Sequence, residues 1–439
     1  MSERLNLVTG ATGFTGSYVL RKLLNDGQKV IGTDLPSEIE KAHESDVFPN
    51  IGLDLNHPNL ELIPSNLLEP ESLEPLFERS VTHVFNPASL YDYSADIETL
   101  RKVNVEGTEN LLPLAIEADL ERFIHWSTCG VFGKPHTAAE GAERNNLPFD
   151  EESSSPKNTP PEADGPEGTE LVNDYSVTKW EQEKLMWQAY RENDLPLTVV
   201  RPAPIYGPGS SYGHGGIILG IAQGHVPAIP ADCKNYITTS VHVEDIAGFA
   251  CYIADQEEGL GEDYNVVDNS IISYHEFLHY IALLCGRRMR DIPFVSNSLV
   301  QKLLKGALSV WQTLEKNFGI ARPRVFESQS INYMVSSYWL SNRKTLEAGY
   351  EYNYPDVKEG LKDTIEWFRK MGWLNDSSKV FTVSPGGSKP ADDEKSPDEV
   401  DLPGESSSTN GTAEIDHDPS VEVPTNGSEP EDESLKNTS

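Results

Sequence analysis

The sequence predicts an α/β protein, a doubly wound and mostly parallel sheet followed by a smaller C-terminal domain and a disordered acidic tail. Three observations predict it. Short β-branched runs alternate with amphipathic stretches over the first 200 residues. A glycine-rich turn, VTGATGFTGSYV, follows the first of those runs. From Pro385 onward the chain is Ser, Pro, Gly, Asp and Glu with almost no aromatic residues. Alternating β and α units imply parallel strands covered on both faces.

Taken in order, LNLVT, KVIGTD, LELI, VTHVFN, RFIHWS and LTVVRP read as six strands. Phe14 to Asp26, Glu69 to Arg79, Ile97 to Glu117 and Asp174 to Glu192 read as helices, from apolar residues recurring at helical spacing. These units make a first domain of residues 1–204, interrupted by a Pro/Ser/Glu-rich insert at 134–174 that reads either as a flap over the site or as a tolerated surface insertion. Residues 205–376 form mainly the second domain. Within it 237–267, which contains the strand-like run TSVHVEDIA, is expected to return to the first. Residues 377–439 form the tail. Between Pro385 and Ser439 it carries 15 acidic and 3 basic residues, a net of −12, and too little apolar surface to offset the entropy of ordering.

The chain has 439 residues and a formal charge of −35. That charge disfavours nucleic acid, whose binding rests on phosphate neutralisation. No apolar run is long enough to span a bilayer, which takes about 18 residues, and MSERLNLVTG lacks the charged-then-apolar order of a signal peptide. Cys129, Cys233, Cys251 and Cys285 are scattered, so neither a disulfide scaffold nor a cysteine metal site is expected, and a reducing cytoplasm is.

Gly10, Gly13 and Gly16 are spaced G-x-x-G-x-x-G between a strand and a helix. Such a loop needs a tight turn, close backbone approach to a pyrophosphate and close helix packing. The helix N-terminus then offers free amides to the phosphates. Asp34 closes the second strand, where a carboxylate accepts bonds from ribose hydroxyls and repels a 2′-phosphate; no Arg follows it closely. The cofactor is therefore expected to be NAD rather than NADP.

Tyr175 and Lys179 form Y-S-V-T-K, which puts both side chains on one face of a helix. A phenol of pKa about 10 shuttles protons poorly at neutral pH, and a nearby ammonium favours its anion. Lys179 can also hold the nicotinamide ribose. Thr128, at the end of the fifth strand, has a hydroxyl that can donate to a substrate carbonyl, and Asn104 can hold a water or backbone group that relays a proton.

With TGATGFTG, VFNPASL, VNVEGTENLL, STCGVFG, YSVTK, VVRPAPIYGPG and TSVHVEDIA in this order, the chain resembles the extended short-chain dehydrogenases/reductases, the NAD-dependent epimerase/dehydratase family, from Leu5 to Trp373. The resemblance implies a Rossmann-like fold, Tyr175 as acid/base, Lys179 as its partner and Thr128 as the polarising hydroxyl, with Ser127 as rival. It implies cofactor contacts at Gly10, Thr12, Gly13, Phe14, Gly16, Asp34, Asn66, Leu67, Pro87, Ala88, Lys179 and Pro202. It also implies a homodimer paired through the Tyr-bearing helix. Two positions depart from the family pattern: Asn66 stands for an Asp, and Phe132 for a Tyr.

LYDYSADIETLRKVNVEGT is most similar to the 3β-hydroxysteroid dehydrogenase and dihydroflavonol reductase branch. That implies oxidation or reduction of a secondary alcohol or ketone on a steroid-like or isoprenoid-like molecule. Between Arg287 and Arg324 eight basic residues stand against Asp291 and Glu315. There the helical pattern 299–318 reads either as peripheral membrane contact, at the inner face, or as a helix packed on its own domain. Two other readings stay open: a nucleotide-sugar epimerase or dehydratase, with Arg287, Arg288, Arg322 and Arg324 as a pyrophosphate clamp, and a dinucleotide-sensing scaffold that binds partners through its tail. No metal site is expected.

Overall fold

Residues 4–91, 95–134, 148–303, 306 and 337–374 are described by a computed structural model of the chain. Its main sheet has seven parallel strands: β1 (Leu5–Thr9), β2 (Lys29–Asp34), β3 (Leu60–Pro64), β4 (His83–Asn86), β5 (Arg122–Trp126), β6 (Leu197–Pro202) and β7 (Glu262–Val266). They lie in the order β7-β6-β5-β4-β1-β2-β3, all parallel. The chain reverses its winding between β1 and β4, the crevice where such sheets bind ligands. Strands covered on both faces are near-continuous apolar runs, and every residue of β6 is buried.

The main helices are α1 (Phe14–Asn25), α2 (Pro36–Glu44), α3 (Pro70–Phe77), α4 (Ile97–Arg101), α5 (Gly107–Glu117), α6 (Asp174–Asn193), α7 (His214–Ala222), α8 (Val243–Ala254), α9 (Tyr274–Leu284), α10 (Arg343–Glu347) and α11 (Val357–Lys370). The stretch expected as one helix from Ile97 to Glu117 is continuous, but Lys102–Glu106 is wound as a π-helix between α4 and α5.

TSVHVEDIA is a strand only in part. Only Val241–His242 is extended, in a two-stranded ladder with Ile205–Tyr206 outside the main sheet. His242 then accepts the Glu244 amide at 3.3 Å, and α8 begins with Glu244 and Asp245, acids placed where a helix N-terminus favours them. The strand that joins the sheet is β7, against β6.

The insert's described part, 148–174, is tied to the first domain by specific contacts. Ser155 is fully buried, the Glu151 carboxylate accepts the Asn265 amide at 2.7 Å, and the Ala163 carbonyl accepts from Lys184 at 2.7 Å and Trp180 at 3.3 Å. Lys157 lies 2.8 Å from both Glu262 and Asp263 of β7. A polar, Pro-rich composition hides these contacts because they are made by ions and carbonyls rather than by apolar periodicity.

One apolar cluster runs from Val8, Leu20 and Val200 to Phe277, Leu361 and Phe368, so the C-terminal helices share the core of the sheet. Asp245 secures that join by accepting the Asn353 amide at 2.6 Å and the Tyr354 amide at 3.0 Å. The four cysteines are buried and unpaired. Among the described residues no helix is long and apolar enough to cross a membrane. The tail and residues 307–318 of the basic stretch lie outside the described residues; Leu299 and Leu303, at its start, are exposed.

Candidate active site

The site is built at the carboxyl ends of β1, β4 and β5. Gly10 has φ +57°, and a Cβ there would come within 3.0 Å of the Ala88 backbone, so the turns after β1 and β4 touch across the reversal of winding. A Cβ on Gly16 would lie 2.0 Å from the Gly10 carbonyl oxygen, which no side chain can relieve. Gly13 is the N-cap of α1 and supplies no capping side chain. That leaves first-turn amides to be satisfied by something outside the helix, as an anion would. Thr12 donates its amide at 3.0 Å and its hydroxyl at 2.7 Å to the Asp34 carboxylate, whose other oxygen accepts the Leu35 amide at 2.9 Å. The oxygen that accepts only the Leu35 amide keeps acceptor capacity for a ribose hydroxyl. The residues present fit a dinucleotide without a 2′-phosphate.

Asn66 is turned into its own loop. Its amide nitrogen donates to Glu69 at 2.9 Å, and its carbonyl accepts the Leu68 amide at 3.1 Å. Leu67 packs under Gly107, and its carbonyl accepts from Asn110 at 2.9 Å. Pro87 and Ala88 form the turn after β4, and Pro202 is the buried last residue of β6.

A chain of buried polar groups runs beneath this edge. Thr9, just before the glycine loop, donates to Asn86 at 2.6 Å, and Asn86 meets His125 at 3.4 Å. Burial and then the charge of Lys179 hold the His125 pKa well below its usual value, so the ring is neutral. Lys179 is 1% exposed and donates to the Trp126 carbonyl at 2.7 Å and to Gln182. Burial pulls its pKa from 10.5 down to about 7, with Glu183 partly opposing. The amine predicted to partner Tyr175 is thus tied to the end of β5, behind the crevice.

Tyr175 is buried in a small cluster with Leu90, Tyr91, Ala95 and Leu100. Phe14, Tyr212, Tyr91 and Tyr175 form a row of rings with centroids 6.3, 5.3 and 5.0 Å apart, which connects the first residue of α1 to the candidate acid/base. Asn104 sits in the π segment. Its side-chain carbonyl accepts the Leu90 amide at 2.7 Å and the Ser89 hydroxyl at 3.1 Å, and its amide nitrogen donates to Thr178 at 3.2 Å. It clamps the loop after β4 to α6, the helix that carries Tyr175 and Lys179.

The two rival hydroxyls are separated by their surroundings. Ser127 is buried and donates to Glu183, whereas Thr128 is half-buried and accepts only the Gly130 amide, at 3.2 Å, among the bonds described. Phe132, where the family pattern has a phenol, stacks on Phe149 at 5.3 Å.

Sequence reasoning missed the ion network behind these residues. Arg201, fully buried, donates to Glu183 at 2.6 and 3.1 Å, to Asp263 and to Ser155 at 3.2 Å. Lys157 and Lys344 reach Asp263 and Glu262 from outside. Burial raises the Asp263 pKa, but Arg201 and the two lysines outweigh it and bring it to about 2. An Arg in the otherwise apolar run LTVVRP was the available signal, since a buried guanidinium requires carboxylates.

The family model described as NAD dependent epimerase/dehydratase matches residues 6–266. A 3-beta-hydroxysteroid dehydrogenase of Mycolicibacterium neoaurum is 24% identical over 358 residues, 79% of this chain and 86% of the relative. Sterol demethylase protein B of Methylococcus capsulatus is 25% identical over 372 residues, 84% of this chain and 99% of the relative. The crystal structure of a UDP-glucose 4-epimerase of Thermotoga maritima aligns with TM-score 0.59 and 22% identity over 84% of this chain and 99% of that one, a likeness of fold.

Proposed function

We propose, from the premise that the chain belongs to the NAD dependent epimerase/dehydratase family and uses NAD, that it is a dehydrogenase/reductase of a secondary alcohol or ketone on a flat, apolar, steroid-like or isoprenoid-like molecule. The observation that carries the reading is the row Phe14–Tyr212–Tyr91–Tyr175. The row runs from the first residue of α1, next to the glycine loop, to Tyr175 among aromatic and aliphatic side chains, which supports reading Tyr175 as the acid/base of that crevice. Such a lining suits a greasy ring system, held by burial of apolar area. The similarity to a 3-beta-hydroxysteroid dehydrogenase and to sterol demethylase protein B supports the same substrate class.

In this reading bound NAD supplies the hydride acceptor. Tyr175 takes the hydroxyl proton. Thr128 donates to the carbonyl oxygen as it forms, since the Ser127 hydroxyl is committed to Glu183. Lys179 favours the phenolate and holds the nicotinamide ribose after leaving the Trp126 carbonyl. Asn104 acts by holding the loop after β4 against α6. Gly10, Thr12, Gly13, Phe14, Gly16, Asp34, Asn66, Leu67, Pro87, Ala88, Lys179 and Pro202 surround the cofactor. We keep the division into residues 1–204 and 205–376, and a homodimer through α6, as parts of the same proposal.

The test is turnover of NAD with 3β-hydroxysteroids and isoprenoid alcohols against UDP- and dTDP-glucose. NADH that accumulates with the apolar alcohols supports the proposal. Conversion of a nucleotide sugar without net NADH would replace it with an epimerase or dehydratase.

A further inference from the structure

We propose a divalent metal site of the zinc class on the C-terminal helices, formed by His275, His279 and Asp291. His275 and His279 stand one turn apart on α9, with ring centroids 4.2 Å apart and planes tilted by 32°. Both point Nε2 at one carboxylate oxygen of Asp291, at 2.9 and 2.8 Å. The three ligand atoms lie within 4.8 Å of one another.

Two imidazoles and a carboxylate are the donor set of borderline cations, not of magnesium or calcium, which prefer all-oxygen shells. A tetrahedral zinc about 2.1 Å from each donor sets neighbouring ligand atoms about 3.4 Å apart. The two Asp291–His spacings therefore have to open by about half an ångström and the wider spacing within the set to close toward the same value, which side-chain rotation supplies. Asp291 and the two rings are each partly exposed, which leaves the remaining coordination to water. Glu276, beside His275 in sequence, is taken by Lys358 and does not compete.

The ligands come from two elements. Asp291 lies on the short strand Arg290–Ile292, which pairs in parallel with Ala228–Pro230, and the histidines lie on α9. A bound ion clips that strand to the helix across the turn Cys285–Met289. Beyond the strand stand exposed Phe294, Leu299 and Leu303. The clip lies outside the Tyr175 site, and this inference does not depend on the reaction proposed above.

The experiment is calorimetric titration of the untagged full chain with zinc chloride, with magnesium chloride as control, and thermal melts in the same metals. We expect one saturable zinc site per chain with Kd of roughly 10 μM or tighter, no magnesium binding, and a zinc-dependent rise in Tm. His279→Ala should weaken zinc by at least roughly tenfold, because even second-shell partners are worth that much. Asp291→Asn, at an exposed position that keeps its shape, should do the same if His279→Ala does not fold. Non-saturating zinc heats, equal magnesium binding, or unchanged affinity in either variant would overturn the site.

Discussion

Arg201→Met tests the buried ion network and has a magnitude that follows from its geometry. The guanidinium is fully buried, as is Glu183, and Asp263 is 1% exposed. Removing the cation leaves two carboxylates in the interior, with Lys157 and Lys344 near only one of them. Removing one partner of such a buried pair costs about 3–5 kcal/mol, most of it the uncompensated charge. The pH dependence gives a second, sign-specific readout. In the wild type the folded pKa of Asp263 lies at about 2, below the ordinary 3.8. That depression contributes stability above about pH 4, on the order of 2 kcal/mol, which disappears as pH falls toward 2. In the variant, burial without Arg201 pushes the Asp263 carboxyl up. The native state then binds more protons than the unfolded state between about pH 4 and 7, and stability falls as pH rises. Urea unfolding followed by tryptophan fluorescence at several pH values measures both effects; Trp187 donates to Glu183 at 2.9 Å and sits in the network. A loss under about 1 kcal/mol, or an unchanged pH slope, would refute the reasoning, because either means the charges were not desolvated as the contacts require.

Tyr175→Phe should abolish turnover, by about 100-fold or more for loss of a general acid/base, while NAD binding measured by fluorescence quenching stays within about twofold. Asp34→Ala should weaken NAD and narrow its preference over NADP, since the ribose acceptor and the charge against a 2′-phosphate both go; an unchanged ratio of the two affinities counts against the assignment. Lys179 has a folded pKa of about 7 against 10.5 unfolded, so the wild type should gain stability from pH 7 toward 10 relative to Lys179→Met, in parallel urea titrations. Deleting Pro385 to Ser439 should leave Tm and turnover unchanged, and a drop of several degrees would show the tail docked.

What the sequence discloses is whatever chain-local physics dictates. Five of the six strands LNLVT to LTVVRP are mostly buried runs and the other, Leu60–Pro64, is a partly exposed sheet edge, while the glycine spacing around Gly13 reports backbone clashes that a side chain would cause within seven residues. The seventh strand was not legible. Glu262–Val266 reads EDYNV, and its two acids look like a solvated loop until Arg201, 62 residues earlier, is paired with Asp263. The contacts of the insert were not legible for the same reason, because Ser155 and Lys157 are polar in sequence and buried or paired only through β6 and β7. At the candidate site, the Y-x-x-x-K spacing singles out Tyr175 and Lys179, but the direction of the Lys179 amine, toward the Trp126 carbonyl, depends on the fold.

The ion network and the candidate chemistry are one connected object. Glu183 lies one helical turn beyond Lys179 on α6, and it holds both Arg201 and Ser127. Ser127 precedes Thr128, and the carbonyl of the residue before it, Trp126, holds Lys179. The carboxylate that anchors β6 and, through Arg201, β7 and the insert therefore also holds Ser127, which stands between the candidate hydroxyl of Thr128 and the Trp126 carbonyl that accepts from Lys179. Glu183→Gln keeps the shape but drops the charge on Arg201. Its effect should reach turnover through a changed setting of Thr128 and Lys179, not only through stability. A network that merely stapled the sheet edge would leave turnover per folded molecule untouched.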